Sequence, residues 1–204
     1  MNYLAHIYLS GSNTHHALGN FIADDIKGLE WKKYPIKIQE GILLHRAIDS
    51  YTDKHALFKK HVSLLFPIYR HYSRVIVDMY YDHFLACHWK KFHPLPLNSF
   101  AENFYTTLEN HLPLLPEVYE KRLPHIRKGN WFLKYASIDG LGQILWQMEQ
   151  RTRFPSKLSD SISELKLHYS LLESDFLEFF PLLCGYCKKH PNAGNYKELP
   201  YFEI

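Results

Sequence analysis

Two stretches decide how the chain reads: residues 45–53, His45-Arg46-Ala47-Ile48-Asp49-Ser50-Tyr51-Thr52-Asp53, and residues 78–83, Asp78-Met79-Tyr80-Tyr81-Asp82-His83. Acid and imidazole side chains recur there at intervals of four, as His45/Asp49, Asp49/Asp53 and Asp78/Asp82. Residues four apart share one face of a helix. The first face also carries Ile38, Ile42 and Thr52, and the second Val75, Leu85 and Trp89. Ionised carboxylates on an inward apolar stripe are costly unless something pairs with them. Lys and Arg are largely missing from both stripes, so a bound cation is the simplest partner. The pattern predicts a metal site inside a helical bundle.

The rest of the chain extends that bundle in both directions. Residues 2–10 read as a short apolar helix with His6 in its middle, broken by Gly11-Ser12-Asn13. Thr14 is placed to cap a second helix ending near Gly28, and Pro35 suits the first turn of a third over about 36–53. A fourth helix is expected over about 56–72, kinked or split by Pro67, and a fifth over about 73–92. Helices near 98–112 and 114–123 are divided by Pro113 and Pro116, and another lies at about 138–150. Farther on, Ile162, Leu165, Tyr169, Leu172, Phe176, Phe179 and Leu183 alternate steps of three and four, which makes one apolar seam along a long last helix. Nothing alternates with period two for long enough to be a strand. The expected architecture is all-α: a single-domain helical bundle over residues 1–188, followed by a non-periodic tail at 189–204.

Composition narrows the function classes. The 204 residues are 46% hydrophobic and 22% charged, suited to one globular domain, and 16% are aromatic, which favours large side chains between helices. A formal charge of +3 is too small to argue for nucleic acid. No apolar run reaches the ~18 residues of a membrane span, and no leader-like segment opens the chain, so a cytoplasmic location with no membrane partner is expected. Three cysteines argue against a disulfide framework. Cys184-Gly185-Tyr186-Cys187 ends a helix, where the dipole opposes a thiolate, so redox chemistry is not expected.

Oxygen ligands with one or two imidazoles suit Mn²⁺, Mg²⁺ or Fe²⁺ better than a structural zinc. Bridging carboxylates would allow one or two ions, the pair standing about 3.5–4 Å apart as in phosphoester hydrolysis. Glu-x-x-His elements of di-iron bundles are absent. His83 lies about 100° round the helix from Asp82, at the edge of such a site. Arg46, Lys27 and the Arg151/Arg153 pair are the basic groups suited to phosphate. Two other readings stay open at this point. One is a phosphohydrolase of a nucleotide or small phosphoester; the other is a non-catalytic helical module whose acid pairs are structural.

The ordered series Met1-Asn-Tyr-Leu-Ala-His6-Ile-Tyr-Leu-Ser10, Gly19-Asn-Phe-Ile-Ala-Asp24, Gly41-Ile-Leu-Leu-His45-Arg46-Ala-Ile-Asp49 with Thr52-Asp53, and Asp78-Met-Tyr-Tyr-Asp82-His83-Phe-Leu resembles the bacterial acyl carrier protein phosphodiesterases. The resemblance extends, less sharply, to Arg151, Arg153 and the last helix. It implies an HD-domain-like hydrolase that uses Mn²⁺ or a similar ion to remove 4′-phosphopantetheine from a serine of holo-acyl carrier protein. It further implies that Asp24, His45, Asp49 and Asp82 hold metal, with Asp78 a further ligand or an orienting group. Arg46 would steady developing charge, His83 would protonate the leaving serine oxygen, and His6 would join the catalytic set. Because the carrier protein is acidic, a basic surface near the site should steer docking. The chain departs from ordinary HD enzymes in having no His-Asp dipeptide: Asp82-His83 is reversed, and His45 and Asp49 are split by three residues.

Overall fold

Two helices, α2 (Thr14–Ile22) and α3 (Ile36–Lys54), cross with their backbones nearly in contact. The computed structural model describes residues 1–196. At the crossing, a Cβ on Gly41 would stand 2.2 Å from His16 O, and one on Gly19 would stand 2.1 Å from Ile38 O. Only glycine permits that approach, and it fixes the register of α2 on α3. Around this pair lie α1 (Tyr3–Tyr8), α4 (Ala56–Tyr69), α5 (Ser73–Cys87), α6 (Trp89–Phe92) and α7 (Leu97–Asn110). They are followed by α8 (Val118–Gly129), α9 (Trp131–Lys134), α10 (Ile138–Glu149), α11 (Ser161–Leu167) and α12 (Tyr169–Lys189).

α5 is the central rod. Ile76, Val77 and every residue from Met79 to Ala86 are buried, the signature of a helix enclosed on all sides. α1, α4, α10 and α12 all pack against it, and α1 is also held by α2. The predicted seam of the last helix is present: Leu165, Leu172, Phe176, Phe179 and Leu183 are all fully buried. The all-α expectation therefore holds, and no strand occurs among the described residues.

Boundaries differ from expectation at identifiable places. α2 stops at Ile22, and a 3₁₀ turn at Ala23–Asp25 carries Asp24 out to the surface. The predicted 73–92 helix breaks at His88 into α5 and α6. α4 continues through Pro67 for two residues and ends at Arg70, whose φ is +51°. α8 starts after Pro116 and runs on past Pro124, while α9 had no sequence signal. The last helix breaks at His168 into α11 and α12 while its apolar seam continues across the break. Part of the tail docks: Tyr196 is buried and donates its hydroxyl to Leu9 O at 2.8 Å. The tail's residues 197–204 lie outside the described residues. Cys184 and Cys187 are buried, and burial pushes both thiols up, which leaves them unsuited to redox exchange. No helix among the described residues is long and apolar enough to cross a membrane.

A polar network around the buried His61 and Tyr81 ties α4, α5 and α12 together. His61 Nε2 donates to Asp175 Oδ2 at 2.9 Å, so its Nδ1 accepts from the Tyr81 hydroxyl at 2.9 Å, and Lys60 Nζ reaches the same Asp175 oxygen at 2.6 Å. Burial, only partly opposed by Asp175, holds the His61 pKa below its ordinary value. The folded chain therefore favours neutral His61. Its contribution to stability is complete above the unfolded value near 6.5 and declines as pH falls below it. Chemical denaturation of wild type and His61→Gln should show a stability gap at pH 7.5 that narrows by pH 5.5; a constant gap would contradict this. Gly41→Ala should lower stability by about 1–3 kcal/mol through the overlap with His16 O, read as a shift in denaturant midpoint.

Candidate active site

Asn20, fully buried near the end of α2, stands between two imidazoles and fixes both. Its backbone oxygen accepts from His45 Nδ1 at 2.8 Å, and its side-chain Oδ1 accepts from His6 Nδ1 at 2.8 Å and from His45 Nδ1 at 3.1 Å. Its amide nitrogen donates to His6 O and Ser10 Oγ, at 2.9 and 3.0 Å, which leaves only one orientation for the amide. Each Nδ1 consequently carries a hydrogen, and each Nε2 is left as a lone-pair donor or a site for a second proton. The two rings stack with centroids 3.9 Å apart and planes 15° from parallel.

Both Nε2 atoms face Asp49. His6 Nε2 lies 3.1 Å from Oδ1 and His45 Nε2 lies 3.1 Å from Oδ2; His45 Nε2 also lies 3.2 Å from Asp24 Oδ1. One ligand atom from each of His6, His45 and Asp49 falls within 4.8 Å of the others. Lone pairs at these distances repel unless a proton or cation sits among them. His45 accepts a proton: burial opposes the charge, but Asp24 and Asp49 outweigh it and hold its pKa at about 9. For His6, burial and then repulsion from His45 drive the pKa down to about 4. A proton thus relieves one ring alone. His6 Nε2 is buried and makes no hydrogen bond, although Asp49 Oδ1 stands 3.1 Å from it. With the His45 proton displaced, two imidazole Nε2 atoms and flanking carboxylates form a donor set that fits Mn²⁺ or a related divalent ion.

A cavity of about 500 Å³ opens over the cluster, bounded by Met1, Asp78, Arg74, Trp131 and Arg151 among others. Over residues 1–183 the chain matches the family model described as acyl carrier protein phosphodiesterase. The chain belongs to that family. It is similar to proteins named acyl carrier protein phosphodiesterase from Yersinia pestis, at 32% identity over 90% of this chain and 95% of that one. A protein of the same name from Serratia proteamaculans (strain 568) is 30% identical over 92% of this chain and 98% of its own length. No solved structure matches the chain.

In this member of the phosphodiesterase family, His6, Asp24, His45 and Asp49 are brought together. Asp78 borders the cavity but accepts from the Met1 amino group at 2.6 Å; that group also stands 3.9 Å from Asp49. Asp82 is turned elsewhere. Its Oδ2 accepts from Leu4 N at 2.7 Å and its Oδ1 from Asn2 N and Ala5 N, both at 3.3 Å. The lone pairs expected to meet metal instead satisfy the open N–H groups at the start of α1. His83 also faces away from the cavity: its Nδ1 donates to Tyr135 O at 2.6 Å and its Nε2 meets the Tyr169 hydroxyl at 3.1 Å. Arg46 donates to Ile26 O and Gly28 O, at 3.2 and 3.3 Å, and so braces the loop after Asp24 rather than facing the cavity.

Sequence reasoning missed Asn20 and Trp131. Asn20 had one signal, an amide inside an apolar helix where Asn is a poor former. Trp131 sits on the helix that sequence did not show. Asn20→Ala spares the backbone bond to His45 but strips the acceptor from His6. It should cost about 1–3 kcal/mol in stability and weaken Mn²⁺ binding by about 10–100-fold. Calorimetric titration with Mn²⁺ and a denaturation curve check both.

Proposed function

We propose that the chain is a metal-dependent phosphodiesterase that hydrolyses the bond between 4′-phosphopantetheine and a serine of holo-acyl carrier protein. Family membership supports the substrate, and the names of its relatives supply the reaction. The observation that carries metal dependence is the meeting of His6 Nε2, His45 Nε2 and the Asp49 carboxylate at one point beside a cavity, with the buried His6 Nε2 left unpaired. Those three residues, with Asp24, would hold one Mn²⁺ or similar ion. When bound, such an ion supplies Lewis acidity to a phosphoryl oxygen and to the attacking water.

The chain's own groups do the positioning. Asn20 holds both imidazoles in the tautomer that presents Nε2. Arg151 is exposed, lines the cavity and makes no ion pair among the described residues. Its guanidinium suits two phosphoryl oxygens at once, the task expected of Arg46. Asp53 and Asp78 are already matched by Arg74 and the Met1 amino group, an arrangement that supports one ion rather than two. Water attack at phosphorus breaks the bond to the serine oxygen and leaves apo-carrier protein and 4′-phosphopantetheine. A cytoplasmic location follows from that substrate.

Incubation of the protein with holo-acyl carrier protein and Mn²⁺ should remove the mass of the phosphopantetheine group from the carrier, as read by intact-protein mass spectrometry. His45→Ala and Asp49→Ala should lower kcat/KM by about a thousandfold or more, and chelation should abolish turnover. His83→Gln should retain activity within about tenfold, since His83 does not face the cavity. An unchanged carrier mass would sink the substrate assignment, and full activity after chelation would sink the metal.

A further inference from the structure

A second cavity, of about 520 Å³, adjoins the first, and Tyr3, Asp24, Trp131 and Arg151 border both. Its far wall is one face of α8: Val118, Lys121, Arg122 and His125 recur at helical spacing and all line it. The floor is apolar. Phe21, Tyr119 and Ile126 are buried there, and the Phe21 ring lies 5.1 Å from that of Tyr3 and 5.5 Å from that of Tyr119. The charge within the wall is internally matched. Arg122 Nη1 donates to both oxygens of Asp25 at 3.0 and 2.8 Å, and the Tyr119 hydroxyl donates to Asp25 at 2.8 Å. Lys121 and His125 remain at the exposed rim, and Arg151 stands where the two cavities meet.

We infer that this second cavity receives the pantetheine arm of the substrate, a slender, uncharged chain carrying two amides, while the phosphodiester lies over His6, His45 and Asp49. The inference rests on the reaction proposed above. A phosphodiester has two substituents. One is the serine of a folded carrier protein, which cannot enter a space of this size. The other is a flexible chain, and a space of 300–1,000 Å³ with apolar walls and a few polar groups is what small-molecule sites provide. The shared residues make the path continuous: Arg151 meets the phosphoryl group at the junction, and the arm passes Asp24 to reach the aromatic floor. Tyr3, Phe21 and Trp131 offer apolar surface to its dimethyl and methylene groups. Asp24 offers an acceptor to its hydroxyl and amide N–H groups, and Lys121 and His125 offer donors to its carbonyls. Neutralisation of Asp25 by Arg122 suits an uncharged guest.

Val118→Trp fills the cavity from its far wall, at a side chain 38% exposed and distant in sequence from every residue of the cluster. Calorimetry with Mn²⁺-loaded wild type and variant would use two probes, 4′-phosphopantetheine and inorganic phosphate. The variant should lose about tenfold or more in affinity for 4′-phosphopantetheine and keep its affinity for phosphate within about twofold. Val118→Ala, which opens the space, should stay within about threefold of wild type for both and guards against a folding defect in the tryptophan variant. Equal affinity of wild type and Val118→Trp for 4′-phosphopantetheine overturns the assignment, as does a parallel loss of phosphate binding. If Val118→Trp lowers only carrier-protein turnover, the α8 face contacts the acidic protein instead, and the assignment again falls. A wild type that binds 4′-phosphopantetheine by way of Val118 yet leaves holo-carrier protein intact overturns the proposed reaction and spares the cavity assignment.

Discussion

The backbone contact between α2 and α3 at Gly19 and Gly41 is the constraint on which the rest of the site depends. Asn20 follows Gly19 directly, and His45 lies one helical turn beyond Gly41. Because the two backbones touch, the carbonyl of Asn20 comes within hydrogen-bond reach of His45 Nδ1. A side chain at either glycine would separate the helices and leave that nitrogen unpaired in the interior. The tautomer of His45, and with it the direction of its Nε2 lone pair, is therefore set by packing between helices rather than by residues in the cavity.

Electrostatics then isolates one locus among many acids. Asp82 is satisfied by the amides of α1, Asp78 by the Met1 amino group, Asp53 by Arg74 and Asp25 by Arg122. Asp49 and Asp24 are left to the stacked imidazoles. Hydrogen bonding to His45 lowers the Asp24 pKa, and proximity to His6 and His45 lowers that of Asp49 despite the cost of burial. Both carboxylates are thus ionised and held where a divalent ion can use them, a state in which four donors converge without a proton apiece.

The fold was legible in the sequence because its signals are local. The seam from Leu165 to Leu183 and the His45/Asp49 pair needed only the period of a helix. What failed to show was the identity of partners. Asp78 and Asp82 share a face as expected, yet periodicity cannot say what that face meets. The missing Lys and Arg suggested a cation, whereas the start of another helix supplied backbone N–H groups, which no side-chain pattern reveals. The same holds for Arg46, whose partners in the structure are the backbone carbonyls of Ile26 and Gly28. The break at His168 left no trace because the apolar spacing continues through it. His6 was legible only through family resemblance, since one imidazole in an apolar helix reads as core.

α1 brings His6 to the site and is tethered by Asp82, a residue 78 positions away from Leu4. Loop closure over such a span is slow compared with forming a helix. During synthesis the first helix made can settle on α2 through the Asn20 side chain, but the N–H groups at its start stay open until α5 brings Asp82 to them. The converging side chains, His6, Asp24, His45 and Asp49, thus come from the first 49 positions, while the group that closes the start of their first helix comes from a much later one. The cluster is completed by that long-range topology and not by any one local element, since α2, α3 and the turn between them carry Asp24, His45 and Asp49 but lack His6.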